Sequence, residues 1–417
     1  MLFIDKNKEH KNVNKGLSIN FGCNFTINIT DTSLENILTA FKEFLPERLT
    51  QFILTLLLGY AEYVMGQKEK PFECEQCGNR QEFIWKTKHG RLTKILTVFM
   101  WVKINQLQIQ CSQCNHKFYI TRKLLGIERM KRIPKETYRK LGLPGAFTSF
   151  RVASKITSMF GWAIDKMTIW EGVQKTGAEI DFEVDPDELA EGEADGTGVA
   201  IQGIKKRGKE LKIFVQKTKK GGVRIAGIDI GKYNGSWENL FKPSIETMKS
   251  FKNFLLTTDG DTSILDSIKD KVTILFQRCL WHIPHQFKYT LWEDKVKRKS
   301  IEWSYLLAEL IEISAIRPLV DDMKIIEDMV KSKLLRLEKL IHFCRERGFN
   351  HSAEYLESAK GDMFSAITNR LNGKTTSKVE RVMRTVNLRV NIGKWSQAGA
   401  LNATKIRLAY YYNGFDA

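Results

Sequence analysis

Four of the seven cysteines fall into two Cys-x-x-Cys pairs, Cys74-Glu75-Gln76-Cys77 and Cys111-Ser112-Gln113-Cys114, with residues 78–110 between them. No other feature limits so strongly how its segment can fold. Two such knuckles on neighbouring turns supply four thiolates to one tetrahedral ion, and zinc is the ion that set suits. Gly78 follows the first pair and permits the tight turn a knuckle needs. Asn115 and His116 follow the second, which makes His116 a redundant fifth ligand candidate. A closed four-thiolate site keeps no open coordination position. Its expected role is structural, holding together a module too small to bury an adequate core. The odd cysteine count and the lack of an apolar signal core in Met1–Gly16 predict a metal in a reducing compartment, not a disulfide scaffold. The expected location is therefore cytoplasmic.

The 417 residues are enough for several domains. Lys plus Arg number 66 against 48 for Asp plus Glu, a formal net charge of +18. That imbalance predicts a polyanionic partner. The longest uninterrupted apolar run, near Phe52–Ala61, is shorter than the roughly 20 residues a bilayer span requires. Nucleic acid is the expected polyanion rather than an anionic membrane surface, since the basic residues are spread and no strongly amphipathic basic helix is evident, and no membrane partner is predicted.

Six segments follow from the patterning. Residues 1–70 form an N-terminal region, polar to residue 32 and expected to be poorly ordered there. Helix follows over Ser33–Gly66, interrupted at Pro46. Residues 71–125 hold the paired cysteines on strand-like stretches at Gln81–Trp85, Leu92–Val102 and Gln106–Gln110. Residues 126–185 are helical, punctuated by Gly142 and Pro144-Gly145. Phe150–Phe160, a turn at Gly161 and Asp165–Thr176 resemble a helix-turn-helix, with ordinary helix packing as the plainer alternative. Residues 186–294 change period. Three strands, Ala194–Ile204, Leu211–Gln216 and Val223–Ile230, make an antiparallel meander with basic turns at Lys205–Lys209 and Lys217–Gly222. Strand, helix, strand and helix follow at Phe251–Thr258, Ser263–Lys269, Val272–Phe276 and from Trp281. Residues 295–370 are charged and helical throughout, an all-helical insertion. Residues 371–417 close the chain with helices over Thr375–Val390 and Ala398–Tyr412.

Asp195-Gly196 stands at the start of the first meander strand and Asp259-Gly260 at the end of a strand; strand ends followed by glycine leave room for a ligand to approach the carboxylate. Asp-Gly is equally a turn signal, and Asp229 and Asp261 are rivals nearby. Cys279 and His282 are spaced to share a metal or simply to pack. Glu380 opens a basic helix with Arg381, Arg384 and Arg389, as either a ligand or an ion-pair partner.

Taken together, these residues resemble DDE transposases of the Mutator superfamily, in their insertion-sequence form with an N-terminal zinc ribbon. The resemblance covers about residues 190–412. Asp195-Gly196 matches the first acid, and Gly227-Ile228-Asp229-Ile230-Gly231 the third meander strand. Asp259-Gly260 matches the second acid, Cys279-Leu280-Trp281-His282 the Cys-x-x-His motif, and Glu380-Arg381 the third acid. Ile283-Pro284-His285-Gln286 departs from the Arg-Asn that many members carry after the histidine.

The resemblance implies an α/β fold. Its catalytic domain is ribonuclease-H-like with an all-helical insertion, preceded by a zinc ribbon and a helical, helix-turn-helix-like DNA-binding region. It implies that Asp195, Asp259 and Glu380 hold two Mg²⁺ or Mn²⁺ ions, with His282 at the scissile phosphate or orienting a ligand. Cys279 would give structural support, and Arg381 and Arg384 would face the DNA backbone. Cys74, Cys77, Cys111 and Cys114 would hold one zinc. The implied activity is binding of element ends in double-stranded DNA, strand cleavage and strand transfer, by at least a dimer, in a prokaryotic nucleoid. A non-catalytic DNA-binding derivative and a purely hydrolytic nuclease of the same fold are the alternatives. Trp281, Trp292 and Trp395 are candidates for stacking on an unpaired base, with core packing the competing role.

Overall fold

The computed structural model describes residues 34–97, 100–128, 131–159, 163–204, 208–233, 235–316, 322–369 and 378–415. The expectations for residues 1–32, for the turn at Phe160–Gly161, for Lys205–Arg207 and for Thr375–Ser377 lie outside them. The chain is mixed α/β and divides into two compact units, Met1–Leu141 with Phe150–Gly172, and Gly142–Ser149 with Val173–Ala417.

The first unit begins with α1 (Leu34–Gly66). Pro46 lies inside this helix and does not interrupt it. A proline removes one i→i−4 hydrogen bond, and the turns on either side keep theirs. Then come β1 (Phe83–Thr87), β2 (Leu92–Leu96), β3 (Trp101–Asn105), β4 (Gln108–Cys111), β5 (Lys117–Tyr119) and α2 (Thr121–Leu124). The single strand expected over Leu92–Val102 is thus a hairpin, β2 pairing with β3, and β1-β4-β5 form a separate sheet. The hairpin turn carries no glycine or proline. Thr97 closes it instead, its N–H and hydroxyl both donating to the Met100 carbonyl at 2.9 Å.

Leu57, Ala61 and Val64 of α1 are buried with Ile95, Val102, Ile104, Ile109 and Phe118 of the two sheets. The expected boundary at residue 70 therefore cuts through one core. Glu47–Gly66 is the one helical stretch among the described residues long and apolar enough to cross a bilayer, at a mean hydropathy of 1.2. It is longer than the uninterrupted apolar run near Phe52–Ala61 because polar and charged residues interrupt it. A helix giving one face to a domain core meets the same criterion, and this one does so.

Next are α3 (Lys135–Phe147), α4 (Phe150–Met159) and α5 (Lys166–Ala178). Gly142 and Pro144 lie within α3 and do not end it. In the first unit Tyr138 and Leu141 are buried with Ala153, Ile164, Ile169 and Leu96 of β2. The expected boundary at residue 125 also divides a shared core.

The second unit is built on one five-stranded sheet. Its strands are β6 (Glu191–Val199), β7 (Lys209–Lys217), β8 (Val223–Gly231), β9 (Phe254–Thr258) and β10 (Ile274–Arg278), in the order β10-β9-β6-β7-β8. β6, β7 and β8 are an antiparallel meander, and β9 and β10 run parallel to β6. Short helices α6 (Glu238–Phe241) and α7 (Ile245–Lys249), with a tight 3-10 turn between them, join β8 to β9, and α8 (Thr262–Asp266) joins β9 to β10. α6 and α7 fall in a stretch where no helix is expected; each is only about one turn, too short to show a period.

Beyond the sheet come α9 (His282–Glu293), α10 (Ile301–Ser314), α11 (Met323–Glu346), α12 (Asn350–Lys360), α13 (Ser365–Thr368), α14 (Val379–Val390) and α15 (Gln397–Tyr412). Ile283, Phe287 and Leu291 of α9 share one core with Leu306, Leu310 and Ile313 of α10 and Leu337, Leu340 and Ile341 of α11. The helical body thus begins at α9, ahead of the expected boundary at residue 295. Two buried side chains of β10 tie it to the sheet. Gln277 accepts from the Ala366 N–H at 2.9 Å and donates to the Met363 carbonyl at 2.6 Å. Arg278 makes a two-pronged pair with Asp362, both contacts at 3.0 Å.

Candidate active site and metal centre

In the first unit the four paired cysteines converge. Cys74 Sγ lies 3.5 Å from Cys114 Sγ and Cys77 Sγ lies 3.6 Å from Cys111 Sγ. All four sulfurs fall within 4.8 Å of one another. The two knuckles are the same turn made twice. The Gly78 N–H donates to the Cys74 carbonyl at 2.9 Å, and the Asn115 N–H to the Cys111 carbonyl at 3.0 Å. The residue after each pair takes a left-handed backbone, Gly78 at φ 71° and Asn115 at φ 58°, which explains a glycine at one position and an asparagine at the other.

Burial pushes the Cys111 thiol up, but donors from the Asn79 side chain and the Cys114 and Gln113 amides outweigh it and bring the group to about 6. Cys114 gains a backbone donor at His116, yet burial and the three neighbouring sulfurs push it up to about 12. Four thiolates this close repel one another strongly, and a divalent ion relieves that repulsion. The donor set therefore fits zinc. His116 is not part of the cluster and stacks on Phe118 at 5.9 Å.

In the second unit the acids gather on β6. Side chains alternate faces along a strand, so Gly192 and Ala194 face one side and Glu193, Asp195 and Thr197 the other. Gly192 and Ala194 lie where β6 meets the apolar core with Phe214 and Trp237; a Cβ at 192 would come within 2.6 Å of the Phe214 ring. The other face receives α14. Glu193 Oε2 accepts from the N–H groups of Lys378 and Val379, the latter at 2.8 Å. Thr197 Oγ1 meets Asn387 Oδ1 at 3.0 Å. The strand rises about 13 Å from residue 193 to 197. The helix rises about 12 Å from 379 to 387. The match keeps strand and helix alongside each other, and Asp195 comes opposite the first turns of α14.

Asp195, His282 and Glu380 each present a ligand atom, all within 4.8 Å of one another. His282 Nε2 lies 3.0 Å from Glu380 Oε1. His282 Nδ1 is buried and has no hydrogen-bond partner among the described residues. Asp259 lines the same open pocket of about 300 Å³, with Trp281, His285, Gln286, Met383 and Asn387. β6 and β9 pair in parallel as far as Glu193 against Thr257. Two residues further along that register bring Asp195 beside Asp259; Asp259 follows the carboxyl end of β9, whereas Asp195 lies midway along β6 and not at a strand end as expected, because β6 continues in its pairing with β7. Asp259 is not one of the three clustered ligands, but its charge acts on Asp195. Burial, opposed by the Gly196 N–H, and the nearby charges of Asp259 and Glu380 push the Asp195 carboxyl up to about 7. A pocket of crowded carboxylates and one imidazole, with negative charge held at a cost, fits one or more hard divalent ions such as Mg²⁺.

The remaining sequence candidates have definite places. Cys279 is buried at the turn that delivers His282, its N–H donating to the Thr258 carbonyl at 2.7 Å and its carbonyl accepting from the His282 N–H at 3.0 Å. Arg381 and Arg384 are exposed on α14, away from the pocket lining. Asp261 caps α8, accepting from the Ser263 N–H at 2.9 Å. Asp229 lies on β8, opposite Lys212. Trp395 is buried under the Arg389 guanidinium, 4.2 Å from its ring centroid, so its role is core packing. Trp281 and Trp292 are exposed.

Glu193, Thr197 and Asn387 were not among the sequence candidates. The legible signal was the alternation Glu191-x-Glu193-x-Asp195 against Gly192 and Ala194, an acidic strand face opposite a small apolar one. A larger hollow over α11, about 390 Å³, is lined by Ile325, Asp328, Met329, Ser332 and Lys333 and gathers no ligand cluster. No family model and no curated protein matches the chain.

Proposed function

We propose that this chain is a DDE transposase with a ribonuclease-H-like catalytic domain and a zinc ribbon. It binds the ends of a mobile element in double-stranded DNA, cleaves a strand and transfers the new end to target DNA. The observation that carries the reading is the pocket in which Asp195, His282 and Glu380 come within 4.8 Å of one another and Asp259 joins them. Three supports stand beside it. The strand order, an antiparallel meander extended by two parallel strands, agrees with that fold. Of the residues that resemble the Mutator superfamily, Asp195, Gly196, Asp259, Trp281, His282 and Glu380 line the pocket. The excess of 18 positive charges suits a polyanionic substrate.

Asp195, Asp259 and Glu380 would hold Mg²⁺ or Mn²⁺. Bound there, the ions would activate the attacking oxygen and neutralise the leaving one in an in-line displacement at phosphorus. The attacking oxygen is water in cleavage and a 3′-hydroxyl in transfer; one P–O bond forms as another breaks. Glu193 fixes the start of α14 against β6 and so sets Glu380 against Asp195. His282 holds Glu380 Oε1 through Nε2 and so helps to place that carboxylate in the pocket. Arg381 and Arg384, exposed on the same helix, are available to DNA phosphates. Pairing of two ends implies an oligomer, at least a dimer.

The test is an excision assay with the gene and its native flanking DNA on a plasmid. Wild type should yield excised or joined products, and Asp259→Asn and Glu380→Gln should yield none. Equal products from all three proteins would reject these carboxylates. Specific flank binding with no products from any would favour a non-catalytic DNA-binding protein.

A further inference from the structure

α9 has two faces of unlike chemistry. Ile283, Phe287 and Leu291 are buried in the helical core, so the helix already has its apolar packing. At 100° per residue, Trp281, His285, Tyr289 and Trp292 all fall within roughly 80° on the opposite side. All four are exposed, Trp281 at 55%, Tyr289 at 57% and Trp292 at 73%. The first rings stand in series: Trp281 lies nearly parallel to His285 at 5.6 Å, and His285 meets Tyr289 at 5.7 Å. Lys288 is exposed on the same side, and Lys295, Lys297, Arg298 and Lys299 are exposed just past the helix end. Trp281 and His285 also line the pocket that holds Asp195, Asp259 and Glu380.

We infer that this face is a stacking track for an unpaired DNA strand leading out of the metal pocket. The inference rests on the proposed function and names the form of substrate beside the bond that is cut. The rings offer their π-faces to bases, and in intact duplex those base faces are already covered by neighbours. Unpaired nucleotides bring them free, and stacking on aromatics tolerates any sequence. The cations at the far end suit the phosphates that such a strand carries with it. From residue 281 to 292 the helix rises about 17 Å, room for a few nucleotides. Continuity with the pocket and this charge complementarity favour a nucleic-acid strand over a second copy of the chain.

The test uses the full-length Glu380→Gln protein, which binds without cutting, at moderate salt. Fluorescence anisotropy compares a blunt duplex, the same duplex with a six-nucleotide unpaired tail, and one whose tail is abasic. The natural-base tail should tighten binding on the order of tenfold over the blunt duplex, and the abasic tail should recover little of that gain. Adding Tyr289→Ala and Trp292→Ala, both on the surface, should abolish the gain while blunt-duplex affinity stays. No gain from the tail, a gain that survives the double substitution, or an equal gain from the abasic tail would overturn the inference and leave the proposed function standing. Loss of self-association in the double variant, with the tail gain intact, would overturn it in favour of a chain–chain contact. Failure to bind any of the DNAs would overturn the proposed function itself.

Discussion

Glu193→Gln is the change that most sharply separates positioning from ligation. Glu193 is buried, and its carboxylate accepts from the Lys378 and Val379 N–H groups, at the amino end of the helix that carries Glu380. Its other oxygen lies 3.6 Å from the Lys217 ammonium, which also pairs with Glu191 at 3.3 Å. Hydrogen bonds to a charged group are worth about 1.5–3 kcal/mol each, against about 1 kcal/mol for a neutral one. A charge at a helix amino end adds about 0.3–2 kcal/mol. Glutamine keeps the size and one neutral acceptor, so the expected loss is about 3 kcal/mol. For a unit of this size that lowers the melting temperature by roughly 6–12 °C in calorimetry. The half-saturating Mn²⁺ concentration for strand cleavage should rise on the order of tenfold, as when a residue supporting a metal ligand is removed. Zinc content should not change. An unaltered melting temperature together with an unaltered Mn²⁺ requirement would refute the claim that Glu193 places Glu380.

Three further predictions follow from other parts of the molecule. Released under denaturation and read with a chromogenic chelator, the wild type should give up one zinc per chain and Cys111→Ser markedly less; zinc-free protein of unchanged stability would contradict the four-thiolate reading. In protein free of Mg²⁺ and Mn²⁺, the Asp195 carboxyl is raised to about 7 in the fold, so the stability it lends is full below its unfolded value of 3.8 and is lost as pH rises through 7. Asparagine has no such proton to lose. The urea-unfolding free energies of Asp195→Asn and wild type should therefore diverge in favour of the variant by on the order of 3 kcal/mol between pH 5 and pH 8, and a constant gap would refute the assignment. Asp362→Ala leaves the buried Arg278 guanidinium beside Gly260 without its carboxylate, and should cost about 3–5 kcal/mol in urea unfolding; a loss below about 1 kcal/mol would show the pair to be incidental.

The parts of the fold legible in the sequence were those set by local chemistry. Cysteine spacing marks both knuckles, β-rich runs parted by basic turns mark the meander of β6 to β8, and Asp-Gly after an apolar run marks the end of β9. The parts that were not legible depend on distant partners. Glu193 looks like one more acid on an acidic strand until α14, 186 positions along the chain, brings its amino end to it. Gln277 and Arg278 acquire their role only from Asp362, Met363 and Ala366, more than 80 positions away. The β2–β3 hairpin was hidden because a threonine closes its turn where glycine, proline or asparagine would have announced it. Pro46 and Pro144 do not break their helices, since a helix supported on both sides tolerates the loss of one hydrogen bond.

The central claim is that Asp195, Asp259 and Glu380 form a metal site that cuts DNA. Its most direct test is strand cleavage by the purified chain on end-labelled duplex carrying the native flanks. The account predicts nicks leaving 3′-hydroxyls in Mg²⁺ or Mn²⁺, none without divalent metal, and none from Asp259→Asn or Glu380→Gln that still bind the same DNA. Cleavage by those variants at the wild-type rate, or cleavage indifferent to divalent metal, would contradict it.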